Sequence, residues 1–349
     1  MTDQAKKIVI LGAGSLRGRE LNDALTDSPL AGADFRLMDD EAALGALEAV
    51  GDEVTFIQHI DPSSFERADF VFFAGDEALT RKHWEAAHRA GASIVDLSGA
   101  LEGERGVLVR APWVNELFEP ASAPDAPGLA TPAVVPAHPV AVALALLLGR
   151  IGQVVPVRQA SATVLEPASE YGRAAMDELH QQTVKLLSFQ DLPRQVYDTQ
   201  VAFNTTPSFG EAAQVSVAAS EARIRRHYEM LAPDRLSNAD VQLLHTPVFH
   251  GYGISLAVEL NEPASLDQME PALAGEHVEV VSAETEQPTN LSVAGQPNLL
   301  VRMRPADGKN THNTRYWIWA GLDNLRFAAL NAVACALELN RLRPHGEVQ

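Results

Sequence analysis

The 349-residue chain has 46% hydrophobic and 21% charged residues, with 46 acidic side chains against 27 basic ones and a formal net charge of −19. That field repels phosphate backbones and anionic lipid, which argues against nucleic acid and membrane as partners. The length predicts two domains, and a single cysteine, Cys335, excludes an intrachain disulfide and a cysteine-built zinc site.

The chain opens on "MTDQAKKIVILGAG", which runs into a strand and a glycine turn with no apolar leader core. Its longest apolar run, Val140 to Leu148, is too short to span a bilayer, so the expectation is a cytoplasmic protein. "KKIVILGAGSLRGRELNDAL" reads as strand, turn and helix, and "DFRLMDD" as a second strand ending in acid. "ADFVFFAG", the helix "EALTRKHWEAAHRAG" and the strand "ASIVDLSG" continue the alternation. This spacing predicts an α/β fold, a doubly wound parallel sheet over roughly the first 130 residues. Seven prolines between Ala111 and Pro139 mark a domain connector.

Beyond it "VRQASATVLE", "VQLLHTPVFHGYGISLAVEL", "NLLVRMRP" and "TRYWIWAG" read as β-rich runs, and "YGRAAMDELHQQTVKLLSF" and "SEARIRRHYEML" as amphipathic helices. The expectation is an α+β domain with one large sheet. The last helix, "DNLRFAALNAVACALELNRL", is apolar at helical spacing and returns to the first domain. The boundaries expected are 1–136 with 322–349, and 137–321.

Gly12, Gly14 and Gly18 stand at the first strand-to-helix turn, where glycines admit a pyrophosphate to a helix N-terminus. The competing explanation is packing alone. Asp39 and Asp40 end the second strand, where an acid accepts from a ribose 2′-hydroxyl and repels a 2′-phosphate, favouring NAD over NADP. A solvated acidic turn explains them equally well.

In "VVPAHPVAVALALLLGR" His138 precedes Pro139, which predicts His138 as the N-cap of a helix with Pro139 at its first position. The positive end of the helix biases that imidazole towards its neutral form.

The glycine turn, "FVFFAG", "GASIVDLSG", "APWVN", "SEYGRAAMDEL", "QVAFNTTP", "TPVFHGYGISLAVE" and "DNLRFAALNAV" resemble, in order, the blocks of the aspartate-semialdehyde dehydrogenase family, and within it the divergent Usg-type branch. The resemblance implies a Rossmann-like NAD(P)-binding domain and a dimerisation and substrate domain, in an oligomer that reduces an acyl phosphate to an aldehyde in amino-acid biosynthesis. It implies cofactor positions at Gly12, Gly14, Ser15, Leu16, Arg17, Gly18, Asp39, Ala74, Gly75 and Asn331. The family's reaction runs through a cysteine thioester, with a histidine as acid and base and arginines on the anionic groups.

At those positions this chain departs from the pattern. The cysteine falls on His138, the glutamine of the next strand on Glu166, an arginine on His245, the histidine on Tyr252 and a phosphate-binding arginine on Glu102. Arg223, opposite a lysine, keeps its charge. An acyl-imidazole hydrolyses readily and replaces a thioester poorly, and Pro139 removes an N–H that an oxyanion could use.

The expectation is therefore a family fold without dehydrogenase activity, binding a dinucleotide weakly or not at all. It would act by binding or partnership, as a homodimer or with a catalytic relative. The alternative is an enzyme with altered chemistry, either an NAD(P)-dependent oxidoreductase or a hydrolase built on His138, Glu166 and His245. His245 and His250 are expected on opposite faces of one strand, which disfavours a shared metal. Cys335 reads as core packing in the last helix.

Overall fold

The computed structural model describes residues 5–40, 45–51, 53–118, 126–231, 237–282, 286–309 and 312–342. The chain divides into two compact units, Met1–Ala137 with Ala328–Gln349, and His138–Phe327.

The first unit runs β1 (Lys7–Leu11), α1 (Leu16–Thr26), β2 (Asp34–Asp39), β3 (Leu47–Val50), β4 (Glu53–Phe56), β5 (Gln58–His59), β6 (Phe70–Phe73), α2 (Glu77–Arg89), β7 (Ser93–Asp96), β8 (Leu108–Arg110), α3 (Pro112–Phe118) and β9 (Val134–Pro136). Seven strands form one parallel sheet in the order β5-β2-β1-β6-β7-β9-β8. Residues 8–11 and all four of β6 are buried, because helices cover both faces of such a sheet; this is why these strands read as unbroken apolar runs. Among the features unread in the sequence are the antiparallel hairpin of β3 with β4, the short strands β5 and β8, and helix α3 inside the proline-rich connector. Ala329, Ala332, Val333, Cys335, Ala336 and Leu339 of the last helix, α8 (Asn324–Asn340), join the core on one face of this sheet.

The second unit contains α4 (Pro139–Val154), β10 (Val157–Glu166), α5 (Arg173–Leu187), α6 (Val217–Leu231), β11 (Ala239–His245), β12 (Tyr252–Ala264), α7 (Leu266–Leu273), β13 (Val278–Val280), β14 (Leu299–Pro305) and β15 (Asn313–Leu322). Its six-stranded sheet has the order β11-β10-β12-β15-β14-β13 and is mixed. β10 is parallel to β11 and antiparallel to β12. Residues alternate buried and accessible along β12 and β15, so one sheet face packs inward and the other carries Trp317, which is 40% exposed. α4 is buried along nearly its whole length.

The run from Val241 to Leu260 is not one strand, as its composition suggested. β11 stops at His245 and β12 starts at Tyr252, with Thr246, Pro247 and Gly251 between them, Gly251 at φ 86°. His250 lies in this connector, so the expected opposite-face relation of His245 and His250 on one strand does not arise.

Candidate functional site

Proline at the first position of α4 fixes its own φ and holds the preceding residue extended, which makes His138 a cap. His138 has φ −55° and ψ 133°, and its Nδ1 accepts from the Val140 N–H at 3.2 Å. Its own N–H donates to Nδ1 of His227, on α6, at 2.9 Å. Accepting at Nδ1 assigns the neutral ring's proton to Nε2. That Nε2 faces the Tyr252 hydroxyl at 3.5 Å and Oε1 of Glu170 at 3.7 Å, with the Tyr252 ring edge-on. Tyr252, the first residue of β12, is fully buried, and burial together with the Glu170 charge pushes its ionisation well up, so it remains a neutral hydroxyl.

Glu166 and His245 are the last residues of β10 and β11 and are partners in the parallel register. Oε2 of Glu166 lies 3.7 Å from Nδ1 of His245, with both side chains fully buried. Tyr171, Tyr197 and Phe209 surround the imidazole at ring-centroid distances of 6.0, 5.0 and 5.0 Å. Burial, then the Glu170 charge, raise the Glu166 carboxyl well above the usual range. Burial pushes His245 down to about 4, so both members of this pair are neutral near pH 7.

Glu170 and Tyr171 come from a 3₁₀ turn, Ala168–Tyr171, tied to the β11–β12 connector by the Ala168 and Ser169 amides. Neither stood out in the sequence. Ser220 and His227 did not either, although their separation of seven places both on one face of α6, Ser220 against Tyr171 and His227 against His138. Arg223 lies between them in the same helix and is half-buried. Tyr197 is carried by an irregular segment whose amides at Gln195, Val196 and Tyr197 donate to the buried carboxylate of Glu178 at 2.7, 2.7 and 3.2 Å.

In the first unit, Gly12 has φ 75°, and a Cβ there would lie 2.3 Å from the Gly75 nitrogen. A Cβ at Gly18 would lie 2.2 Å from the Gly12 carbonyl oxygen. Ser15 caps α1 by accepting from the Gly18 N–H at 2.9 Å, and donates to the Ala74 carbonyl at 2.9 Å. Leu16 opens the helix, and Arg17 reaches the Leu97 carbonyl at 3.4 Å. Oδ2 of Asp39 accepts from the Gly14 N–H at 2.7 Å, and Oδ1 from the Asp40 N–H at 2.9 Å. No acid lies in the first turn of α1.

This arrangement fits a dinucleotide. Gly12, Gly14 and Gly18 allow close approach to the turn, no acid lies in the first turn of the helix, and the second strand ends in Asp39 at the turn.

Glu102 is half-buried in the turn after β7, shaped by the Asp96 carboxylate, which accepts from the Ser98 and Leu101 amides at 2.9 Å each. Asn331 is buried, its amide donating to the carbonyls of Arg110 and Ala137. Cys335 is buried, its thiol pushed well up by burial. Among the described residues no group of three or more His, Cys, Asp or Glu side chains is placed to hold a metal ion.

A doubly wound dinucleotide half and a second half built on a mixed sheet define a two-domain dehydrogenase architecture. Two family models match the chain, the semialdehyde dehydrogenase NAD binding domain over residues 7–125 and the semialdehyde dehydrogenase dimerisation domain over residues 148–327. The chain belongs to the semialdehyde dehydrogenase family.

Among its relatives, the USG-1 protein homolog of Pseudomonas aeruginosa is 30% identical, over 83% of this chain and 86% of that protein. The aspartate-semialdehyde dehydrogenase of Rickettsia bellii is 24% identical, over 95% and 97%. The structure of a probable aspartate-semialdehyde dehydrogenase from Pseudomonas aeruginosa superposes with a TM-score of 0.81 at 28% identity, covering 97% of this chain and 99% of that one. No described helix is long and apolar enough to cross a membrane.

Proposed function

We propose that this chain keeps the family's fold and a dinucleotide site but has lost acyl-transfer dehydrogenase chemistry, and acts as a binding or partner protein. The observation that carries this reading is the engagement of His138. The resemblance read from the sequence puts it at the family's cysteine position; its Nδ1 lone pair is used by the Val140 N–H, which leaves the ring's proton on Nε2. Attack on an acyl carbon needs a free lone pair, so His138 would have to break its cap and change tautomer first. On the same resemblance Glu166 and His245 take the places of a glutamine and an arginine, and neither offers a cation to an anionic substrate.

For the first unit we read a weak NAD site at Gly12, Gly14, Ser15, Leu16, Arg17, Gly18, Ala74, Gly75 and Asp39. When bound, the nicotinamide supplies a hydride acceptor. Asp39 puts a carboxylate where a 2′-phosphate approaches, and it withdraws the Gly14 N–H from the diphosphate. Asn331 is left out of this site, since it is buried with its amide on the carbonyls of Arg110 and Ala137. The dimerisation domain and the exposed sheet face with Trp317 support a homodimer, and the same surface could receive a catalytic relative.

The purified protein is expected to give no turnover with aspartate semialdehyde, phosphate and either NAD or NADP. Turnover that His138→Ala abolishes would contradict the reading. Calorimetric titration is expected to show weak NAD binding and weaker NADP binding, and sedimentation a dimer.

A further inference from the structure

Five polar atoms of the second unit are fully buried without a hydrogen-bond partner in the protein and belong to one cluster: both carboxyl oxygens of Glu166, both ring nitrogens of His245 and the hydroxyl of Tyr197. Glu166 and His245 face each other, and Tyr197 packs on the imidazole at a ring-centroid distance of 5.0 Å. Such atoms in a native core are almost always satisfied, by protein or by ordered water.

A direct ion pair does not account for them. A charged N–H···O contact closes to about 2.8 Å, whereas this pair stands at 3.7 Å. Two bare charges at zero exposure would also cost several kcal/mol each. The hydroxyls of Tyr171 and Ser220, paired with each other at 3.2 Å, lie beside the Glu166 carboxyl and favour its charged form, an effect that burial outweighs. Glu170 adds a second carboxylate on the same side and disfavours an anion. The remaining inventory is a carboxyl, an imidazole and a phenol, each able both to donate and to accept. An apolar molecule satisfies none of these, and a metal cation lacks a third ligand among the described residues. Water matches all of them, and a buried water typically makes about three hydrogen bonds.

We propose that ordered internal water occupies the space between Glu166, His245 and Tyr197 and bridges the ends of β10 and β11. Glu166 and His245 have no exposed surface, so the water is slow to exchange and is a fixed part of the dimerisation domain. This inference is independent of the catalytic reading, since it concerns only how a buried polar cluster is satisfied.

A crystal structure of the full chain, with water-oxygen magnetic relaxation dispersion in solution, tests it. The wild-type protein is expected to show water density within hydrogen-bonding distance of Glu166 and His245, and at least one long-lived water. The double variant Glu166→Met, His245→Leu should lose that water. Glu166→Gln keeps donors and acceptors in place and should retain it, which preserves the test if the double variant does not fold. Glu166 and His245 closing to a direct hydrogen bond, or an ion or other molecule in the site, would overturn the proposal.

Discussion

Glu166 and His245 are register partners at the ends of parallel strands, and their side chains meet at 3.7 Å in a wall of aromatic rings with no solvent contact. Burial, the common cause, moves the two groups in opposite directions and leaves both neutral. Two opposed pH dependences follow.

His245 titrates near 4 in the folded chain against 6.5 when exposed. Between those values the unfolded chain holds the extra proton, so stability falls as pH drops from 6.5 towards 4, by about 3 kcal/mol in all. Urea unfolding across this range should show the loss, and His245→Phe should flatten it.

Glu166 runs the other way. Its folded carboxyl holds its proton above the unfolded value of 4.5, so stability is present below pH 4.5 and is lost as pH rises beyond it. Glu166→Gln keeps the shape of the neutral acid without that loss. It is expected to stabilise the protein on the order of 1–3 kcal/mol at pH 7 and little at pH 4.5. A urea midpoint that falls in the variant at pH 7 would refute the neutral assignment.

Asp39 engages the Gly14 amide and presents its charge at the end of β2. Asp39→Ala is expected to raise NADP affinity about tenfold and to lower the NAD preference, through the lost repulsion and the freed N–H. Calorimetric titration of the wild type and Asp39→Ala with both dinucleotides measures this, and an unchanged NADP affinity would remove Asp39 from the site.

Much of this was legible because the physics is local. Val9, Ile10 and Phe70 to Phe73 read as strands because both sheet faces are covered, and His138 read as a cap because Pro139 follows it. The β3–β4 hairpin escaped because Leu47, Val54 and Phe56 point to solvent while Glu48 turns to Arg19, at 2.7 Å, inverting the usual pattern. α6 reads as a basic solvated face, which holds for Arg225 and Arg226 but not for the buried Ser220 to His227 side. Glu170 and Tyr171 follow β10 directly and lie in the "SEYGRAAMDEL" block, but nothing in their spacing shows the turn that brings them to Glu166, and Tyr197 reaches His245 from an irregular segment far along the chain.

The central claim is that residue 138 performs no acyl transfer. The most direct measurement is protein-dependent release of phosphate from β-aspartyl phosphate, which reports attack at the acyl carbon whether or not the adduct survives. The expected rate equals that of spontaneous hydrolysis and is the same for wild type and His138→Ala. Phosphate release above that background, removed by His138→Ala, would contradict it.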